Sequence, residues 1–259
     1  MESYLITGGG TGIGAAAARE LASREGARVL LVGRRHAPLE AVLASLGDGG
    51  HVCLVGDVAD REWLVSALAS EAADLTRHPL VGVFANAGIG GGNAFEDGPE
   101  ADRWDEILRV NLTGAYVTAM AARPWLFAAP SDRPRHLILT SSILARFGAP
   151  GMTAYAAAKT GLLGLMRCLA LEWASAGVLV NAICPGWVET EMAVSRLSDM
   201  AQESGISLDQ CIQHQTQSVP TGRFAQPEEV ARLVAYLMSD SQRSITGATL
   251  DINNGAFMA

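Results

Sequence analysis

Runs of Val, Leu and Ile of strand length alternate along the chain with stretches in which apolar residues recur every three or four positions. The runs predict strands at Tyr4–Thr7, Arg28–Val32, His51–Val55, Val81–Ala85, His136–Thr140, Leu179–Ile183 and Thr249–Ile252. Helical periodicity falls near 12–24, 37–46, 60–77, 100–128, 152–176 and 227–239, with start signals such as Asp60 before Arg61-Glu62 and the Pro227-Glu228-Glu229 triplet. Strands that are apolar throughout belong to a sheet covered on both faces. Strands separated by helices run parallel, joined by right-handed crossovers. The prediction is therefore an α/β fold, a doubly wound parallel sheet of about seven strands with helices on both faces, in a single domain over 1–259. Ligands of such sheets lie beyond the carboxyl ends of the strands, so functional residues are expected just after strands. The segment 191–218 departs from the alternation, being polar, Gln-rich and weakly helical, with Ser204-Gly205 interrupting it. An excursion of that length is either a substrate lid or a solvated loop.

A hydrophobic fraction of 49% agrees with such a doubly covered sheet. The net charge of −8 argues against a nucleic-acid or anionic-membrane partner, which would call for a basic surface. Only Arg34-Arg35 forms a tight basic pair. The four cysteines (Cys53, Cys168, Cys184, Cys211) show no C-x-x-C pair and no metal-binding spacing with the five histidines. They read as buried free thiols of a reducing compartment, and no metal is expected. Tyr4-Leu5-Ile6 reads as a strand entering a glycine turn, not as a leader, and no apolar stretch approaches the roughly 20 residues of a membrane span. The expectation is a soluble, cytoplasmic protein.

The first turn carries the first chemistry. Thr7-Gly8-Gly9-Gly10-Thr11-Gly12-Ile13-Gly14 follows the first strand and opens the first helix. Glycines in this spacing allow a tight turn and close backbone approach to a pyrophosphate, which the free N–H groups and dipole of the helix N-terminus favour. The arrangement is Rossmann-like, with Gly8, Gly10, Thr11, Gly12, Ile13 and Gly14 as cofactor contacts. The second strand ends at Gly33-Arg34-Arg35, and no acid stands at 31–36. A carboxylate there would accept from the ribose 2′-OH of NAD, whereas guanidinium groups suit the 2′-phosphate, so NADP is favoured over NAD. Asp57-Val58 after the third strand offers a carboxylate and backbone to the adenine edge and Asn86-Ala87-Gly88 after the fourth puts a small turn beside the cofactor, or each serves as an ordinary turn cap.

Tyr155-Ala156-Ala157-Ala158-Lys159 puts a phenol and an ammonium on one helix face, about 6 Å apart at Cβ. A neighbouring cation favours the phenolate, so this spacing predicts a phenol of lowered pKa able to exchange a proton with a carbonyl or alcohol oxygen. Ser142, just after the fifth strand, supplies a hydroxyl to hold that oxygen, with Ser141 as the alternative serine. Asn111 lies inside a helical stretch, where an amide more often caps or solvates, or positions a water linking Lys159 to solvent.

Taken in order, T-G-G-G-T-G-I-G, D-V, N-A-G, V-N-L-T-G, S-S, Y-A-A-A-K and N-A-I-C-P-G-W-V-E-T resemble the compact branch of the short-chain dehydrogenase/reductase family over essentially the whole chain. The resemblance implies an oxidoreductase interconverting a ketone and a secondary alcohol with NAD(P)(H). It implies Asn111, Ser142, Tyr155 and Lys159 as the catalytic tetrad, the serine chosen by its spacing to tyrosine. Tyr155 and Lys159 also border the cofactor, Lys159 bonding the nicotinamide ribose. Pro185, Gly186 and Val188 border the nicotinamide, and Thr190 holds its carboxamide. A homotetramer packed through helices near 100–128 and 152–176 is implied as well; the Ala154, Ala157, Ala158, Gly161, Leu165 face suits close helix approach, or packing within its own chain.

Pro185–Met192 and Val219–Phe224 are similar to 3-oxoacyl-carrier-protein reductases, although 191–218 is longer than in compact fatty-acid reductases. Leu144, Phe147, Trp187 and Met192 either line an apolar substrate pocket or pack under the lid, so the small-molecule substrate is a 3-oxoacyl thioester or a cyclic or aryl ketone. The rivals are a catalytically silent NAD(P)-sensing regulator, which has no need of the tetrad, and an epimerase or dehydratase, which would need a larger C-terminal substrate region.

Overall fold

The computed structural model describes residues 1–93, 98, 101–130 and 132–258. Seven strands, β1 (Glu2–Thr7), β2 (Ala27–Gly33), β3 (Val52–Val55), β4 (Leu80–Ala85), β5 (Arg135–Thr140), β6 (Val178–Pro185) and β7 (Thr249–Ile252), form one parallel sheet in the order β3-β2-β1-β4-β5-β6-β7. The order reverses between β1 and β4, which opens a crevice beyond their carboxyl ends. Each predicted strand is present within a few residues of its expected bounds, because a strand covered on both faces is written as a mainly apolar run.

The helices are α1 (Gly12–Ala22), α2 (His36–Ala44), α3 (Arg61–Ser70), α4 (Ala72–Arg77), α5 (Trp104–Leu108), α6 (Gly114–Ala128), α7 (Thr153–Trp173), α8 (Glu191–Ser204), α9 (Leu208–Gln217) and α10 (Pro227–Leu237). One core layer lies between the sheet and α3, α6 and α7, holding Leu64, Val117, Leu162 and Met166. The other lies between the sheet and α1 and α10, holding Ala17, Leu21, Val230 and Val234. Among the described residues no helix is long and apolar enough to cross a membrane, and no group of three or more His, Cys, Asp or Glu could hold a metal ion.

Four expectations are refined. The stretch 60–77 divides at Glu71 into α3 and α4. The helix expected over 100–128 starts at Trp104, position 100 lying outside the described residues, and is interrupted by a π-turn at Arg109–Thr113. The weakly helical segment 191–218 forms two full helices, α8 and α9. Thr190 caps α8 by accepting from the Ala193 N–H, Gly205 at φ 64° ends it, and Ser207 with Gln210 forms a reciprocal capping box at α9. Buried Leu197, Ala201 and Cys211 form a small apolar cluster with Val219 and Phe224. Propensity in this polar segment is weak, so the caps and that cluster decide its helicity. Of the cysteines, all free, Cys184 and Cys211 are buried as expected but Cys168 is exposed.

Candidate active site

The loops after β1, β2, β3 and β4 surround an open cleft lined by Gly8, Gly10, Thr11, Arg34, Arg35, Asp57, Val58, Ala87 and Gly88. The glycine turn is tight: a Cβ on Gly14 would stand 2.1 Å from the Gly8 carbonyl oxygen, and Gly8 and Gly12 adopt φ of 67° and 51°. Backbone therefore lies bare at the start of α1, whose free N–H groups suit a pyrophosphate. Ile13 is half-buried against the core. At the β2 end Arg34 and Arg35 are exposed at the rim, and Arg35 lies 3.7 Å from Glu191 of α8. This cradle, bare at the glycines and cationic at the ribose end, fits a dinucleotide.

Asp57 accepts from the Ala59 N–H at 2.9 Å and from Arg109 at 2.8 Å. Burial alone would raise its carboxyl; these two hydrogen bonds and the charges of Arg109 and Arg34 outweigh it and hold the pKa below the ordinary carboxylate value. Asn86 serves the frame: its side chain donates to the Thr7 carbonyl at 3.3 Å and accepts from Thr140 at 3.2 Å. Its neighbours Ala87 and Gly88 face the cleft. Thr190 packs at the glycine turn, where a Cβ on Gly12 would come within 3.0 Å of its methyl. Pro185 ends β6, Gly186 packs on Asn253, and Val188 bridges to Ala225.

The tetrad residues converge beside this cleft. The π-turn aims the buried Asn111 amide at the loop after β4, accepting from the Ile89 N–H at 2.8 Å and donating to the Ile89 carbonyl at 3.0 Å. The Asn111 oxygen and Lys159 Nζ stand 2.8 Å and 3.5 Å from where a Gly88 Cβ would be, so Gly88 must be small. Lys159 is buried, donates to the Thr140 carbonyl at 2.8 Å and sits 5.6 Å from the centre of the Tyr155 ring. Ser142 caps the 3₁₀ turn Ile143–Ala145, and its hydroxyl is close enough to the phenol to favour ionisation. Ser141 is engaged elsewhere, donating to the Lys159 carbonyl at 2.8 Å.

Burial lowers the Lys159 pKa to about 8. Burial likewise raises the Tyr155 pKa, outweighing the Ser142 hydrogen bond. The lowering expected from the i, i+4 spacing does not occur in the chain alone. The Lys159 ammonium is directed at a backbone carbonyl, and desolvation of the phenolate dominates. The phenol therefore stays protonated at neutral pH, the form a proton donor needs.

Helix α8 reaches the same site. A Cβ on Gly90 would lie 2.9 Å from Met192 of α8, so this helix contacts the loop after β4. Trp187 stacks on Phe224 at 5.6 Å within the apolar cluster of α8 and α9, and Phe147 on Phe257 at 5.9 Å. The alanine-rich face of α7 packs partly inside its own chain, with Ala154 and Ala158 on Ile107 and Gly161 on Leu112.

Residues 8–256 match a family model described as enoyl-(acyl carrier protein) reductase. The chain is 36% identical to the acetoacetyl-CoA reductase of Synechocystis over 96% of its own length and 93% of that protein's. The chain belongs to the short-chain dehydrogenase/reductase family. Another family member, the 3-oxoacyl-[acyl-carrier-protein] reductase FabG of Haemophilus influenzae, is 34% identical over 98% of both chains. The structure of a tryptophan variant of actinorhodin polyketide ketoreductase with NADPH superposes with a TM-score of 0.84 and 31% identity, covering 98% of this chain and 97% of that one. As a member, the protein is an NAD(P)-dependent oxidoreductase that interconverts keto and hydroxyl groups.

Several residues of the dehydrogenase site carry weak signals in sequence. Thr7 accepts from the N–H groups of Asn86 and Ala87 at 3.0 and 3.1 Å and so sets the floor of the cleft. Arg109 pairs with Asp57 from a distant helix; Pro38, Leu39, Ile89 and Val110 also line the cleft. Thr7 stands directly before the glycine turn, a place that could have flagged it. The others depend on chain segments far apart in sequence.

Proposed function

We propose that the protein is an NADPH-dependent ketoreductase whose Tyr155 protonates the carbonyl oxygen of a 3-oxoacyl thioester-like substrate. The observation that carries this reading is the convergence of Ser142, Tyr155 and Lys159 beside a cleft opened by the glycine turn. The bound nicotinamide supplies the hydride. Ser142 hydrogen-bonds the substrate oxygen, and Tyr155, kept protonated by burial, donates its proton as negative charge develops there. Lys159 lies 5.6 Å from the Tyr155 ring, near enough to stabilise the phenolate left behind, and would bond the nicotinamide ribose. Asn111 holds the Gly88–Ile89 backbone against this group. Gly8, Gly10, Thr11, Gly12, Ile13 and Gly14 cradle the pyrophosphate, Asp57, Val58, Ala87 and Gly88 the adenosine and ribose side, and Pro185, Gly186, Val188 and Thr190 the nicotinamide, with Asn86 bracing the wall.

Arg34 and Arg35 favour NADP, since no carboxylate stands at 31–36 to accept from a ribose 2′-OH. The named activities of the two relatives support a 3-oxoacyl substrate. A cyclic or aryl ketone is the second reading, favoured by the aromatic residues Phe147 and Trp187 near the site and by the polyketide ketoreductase among the similar structures. In this reading 1–259 is one catalytic domain with α8 and α9 as its lid, acting in the cytoplasm. It assembles as a homotetramer through the faces of α6 and α7, where Tyr116 and Leu171 are exposed.

The test is oxidation of NADPH and NADH, followed by absorbance, against acetoacetyl-CoA and a panel of cyclic and aryl ketones. Turnover of a 3-oxoacyl substrate with NADPH is expected, and Arg34→Ala should weaken NADPH binding about tenfold while sparing NADH. Equal losses for both cofactors reject the NADP assignment; tight cofactor binding without turnover of any ketone rejects the catalytic reading.

A further inference from the structure

Ser142 hangs on a short turn, and that turn is held from a distance. It leaves β5 at Thr140, which pairs with Ile183 of β6; one position on, Cys184 of β6 pairs with Asp251 of β7. The 3₁₀ turn ends at Arg146, whose guanidinium reaches across β6 to grip both oxygens of Asp251, Nε at 3.2 Å and Nη2 at 3.0 Å. Nη2 also approaches the Thr249 carbonyl at 3.4 Å. The two side chains are only 20% and 26% exposed, so water competes weakly for this two-point pair. A second tie follows at once, Phe147 packing on Phe257 of the C-terminal tail. Asn253 folds that tail back by donating to the Phe257 carbonyl at 3.1 Å, while its own backbone backs Gly186.

We propose that Arg146 is a positioning residue for Ser142, acting through its forked ion pair with Asp251. The inference rests on the proposed role of Ser142 as the holder of the substrate oxygen. Arg146 touches neither the phenol nor the ammonium; it sets the place of the turn from which the serine hydroxyl is presented. A lysine there would supply a point charge without the planar fork, and so would hold the turn less firmly.

The test is a double-mutant cycle on ketone reduction, with Arg146→Met, Ser142→Ala and the pair, accompanied by Arg146→Lys and Asp251→Asn. Arg146→Met is expected to lower kcat about 10- to 100-fold, the scale of a small misplacement of a reacting group. NADPH affinity, read by fluorescence, should be unchanged. In the Ser142→Ala background the same substitution should cost less than about twofold, since the residue acts through a hydroxyl already gone. Arg146→Lys should recover part of the rate, and Asp251→Asn should reproduce the loss. Equal losses with and without Ser142 overturn the inference, as does a wild-type rate in both Arg146→Met and Asp251→Asn. If Arg146→Met fails to bind NADPH, the Asp251→Asn and Arg146→Lys rates decide. A protein in which Ser142→Ala alone leaves kcat untouched sinks the catalytic reading and the inference with it.

Discussion

The two ends of the sheet both bury ionisable groups, and they treat them differently. At the amino end, two arginines cap the carbonyls of helix ends, Arg24 bonding Ala235 and Met238 behind α10 and Arg135 bonding Ala176 behind α7, while Arg28 pairs with the Glu71 carboxylate behind α3. Among the described residues, every buried side-chain nitrogen or oxygen without a partner lies here, on Arg28, His78, Arg135 and both nitrogens of His136. At the carboxyl end the buried polar groups of Asn111, Ser141 and Lys159 each have a partner. The contrast separates two uses of a buried polar group. One end uses its charges to close the frame and tolerates a few loose atoms. The other holds each group in one orientation, with the Ser142 hydroxyl at the Tyr155 phenol, an order of the kind acid–base catalysis requires.

If this division holds, changes at the carboxyl end should reduce rate and spare stability, and changes at the amino end should do the reverse. The largest effect is expected for Tyr155→Phe, a loss of about 10³- to 10⁴-fold in kcat with cofactor affinity and melting temperature nearly unchanged. A mutant that kept its turnover, or that lost rate only by unfolding, would erase the distinction.

His136 gives the converse. Burial lowers its pKa from 6.5 to about 4, so between those values the unfolded chain binds a proton that the folded chain does not. Its contribution to stability is complete above pH 6.5 and is lost as pH falls to about 4, roughly 3 kcal/mol in all. Denaturant titrations should record that slope in the wild type and a flatter one in His136→Leu, with kcat at neutral pH unaffected. An unchanged slope in the mutant would mean that other groups carry the acid sensitivity.

Arg24→Ala removes two bonds to helix-end carbonyls and one to the Tyr4 hydroxyl, and is expected to cost about 2 kcal/mol of stability without changing kcat. Chemical denaturation beside a steady-state assay checks both halves of that expectation. The smallest and sharpest test is at Lys159. With its pKa lowered to about 8, the cation that stabilises the developing phenolate is lost as pH rises past that value. For reduction, kcat/KM should therefore fall up to about tenfold per pH unit above pH 8, a decline absent from the slow Lys159→Met enzyme. A wild-type profile flat to about pH 10 would show that the charge of Lys159 is dispensable.

The frame is legible in the chain because its signals are local or periodic. Predominantly apolar runs mark all seven strands, even where Asn181 and Asp251 interrupt β6 and β7, and the glycine turn and the Tyr155–Lys159 spacing declare themselves within a few residues. The segment 191–218 reads as only weakly helical because its helices depend on an apolar cluster assembled from Leu197, Cys211, Val219 and Phe224, which no short window displays. The π-turn that carries Asn111 is invisible for the same reason, as its amide is drawn to the Ile89 backbone from another loop.

Residue order alone dictates which segments become strands and helices, and which residue types stand just beyond the strands. Those properties follow from side-chain periodicity and from backbone freedom at glycine, both written residue by residue. Protonation states come from the packed fold, which raises Tyr155 and lowers Lys159, because desolvation depends on everything around a group and not on its neighbour one helical turn away. The meeting of Arg146 with Asp251 is likewise a product of folding, a pairing made by strand order across 105 positions of chain.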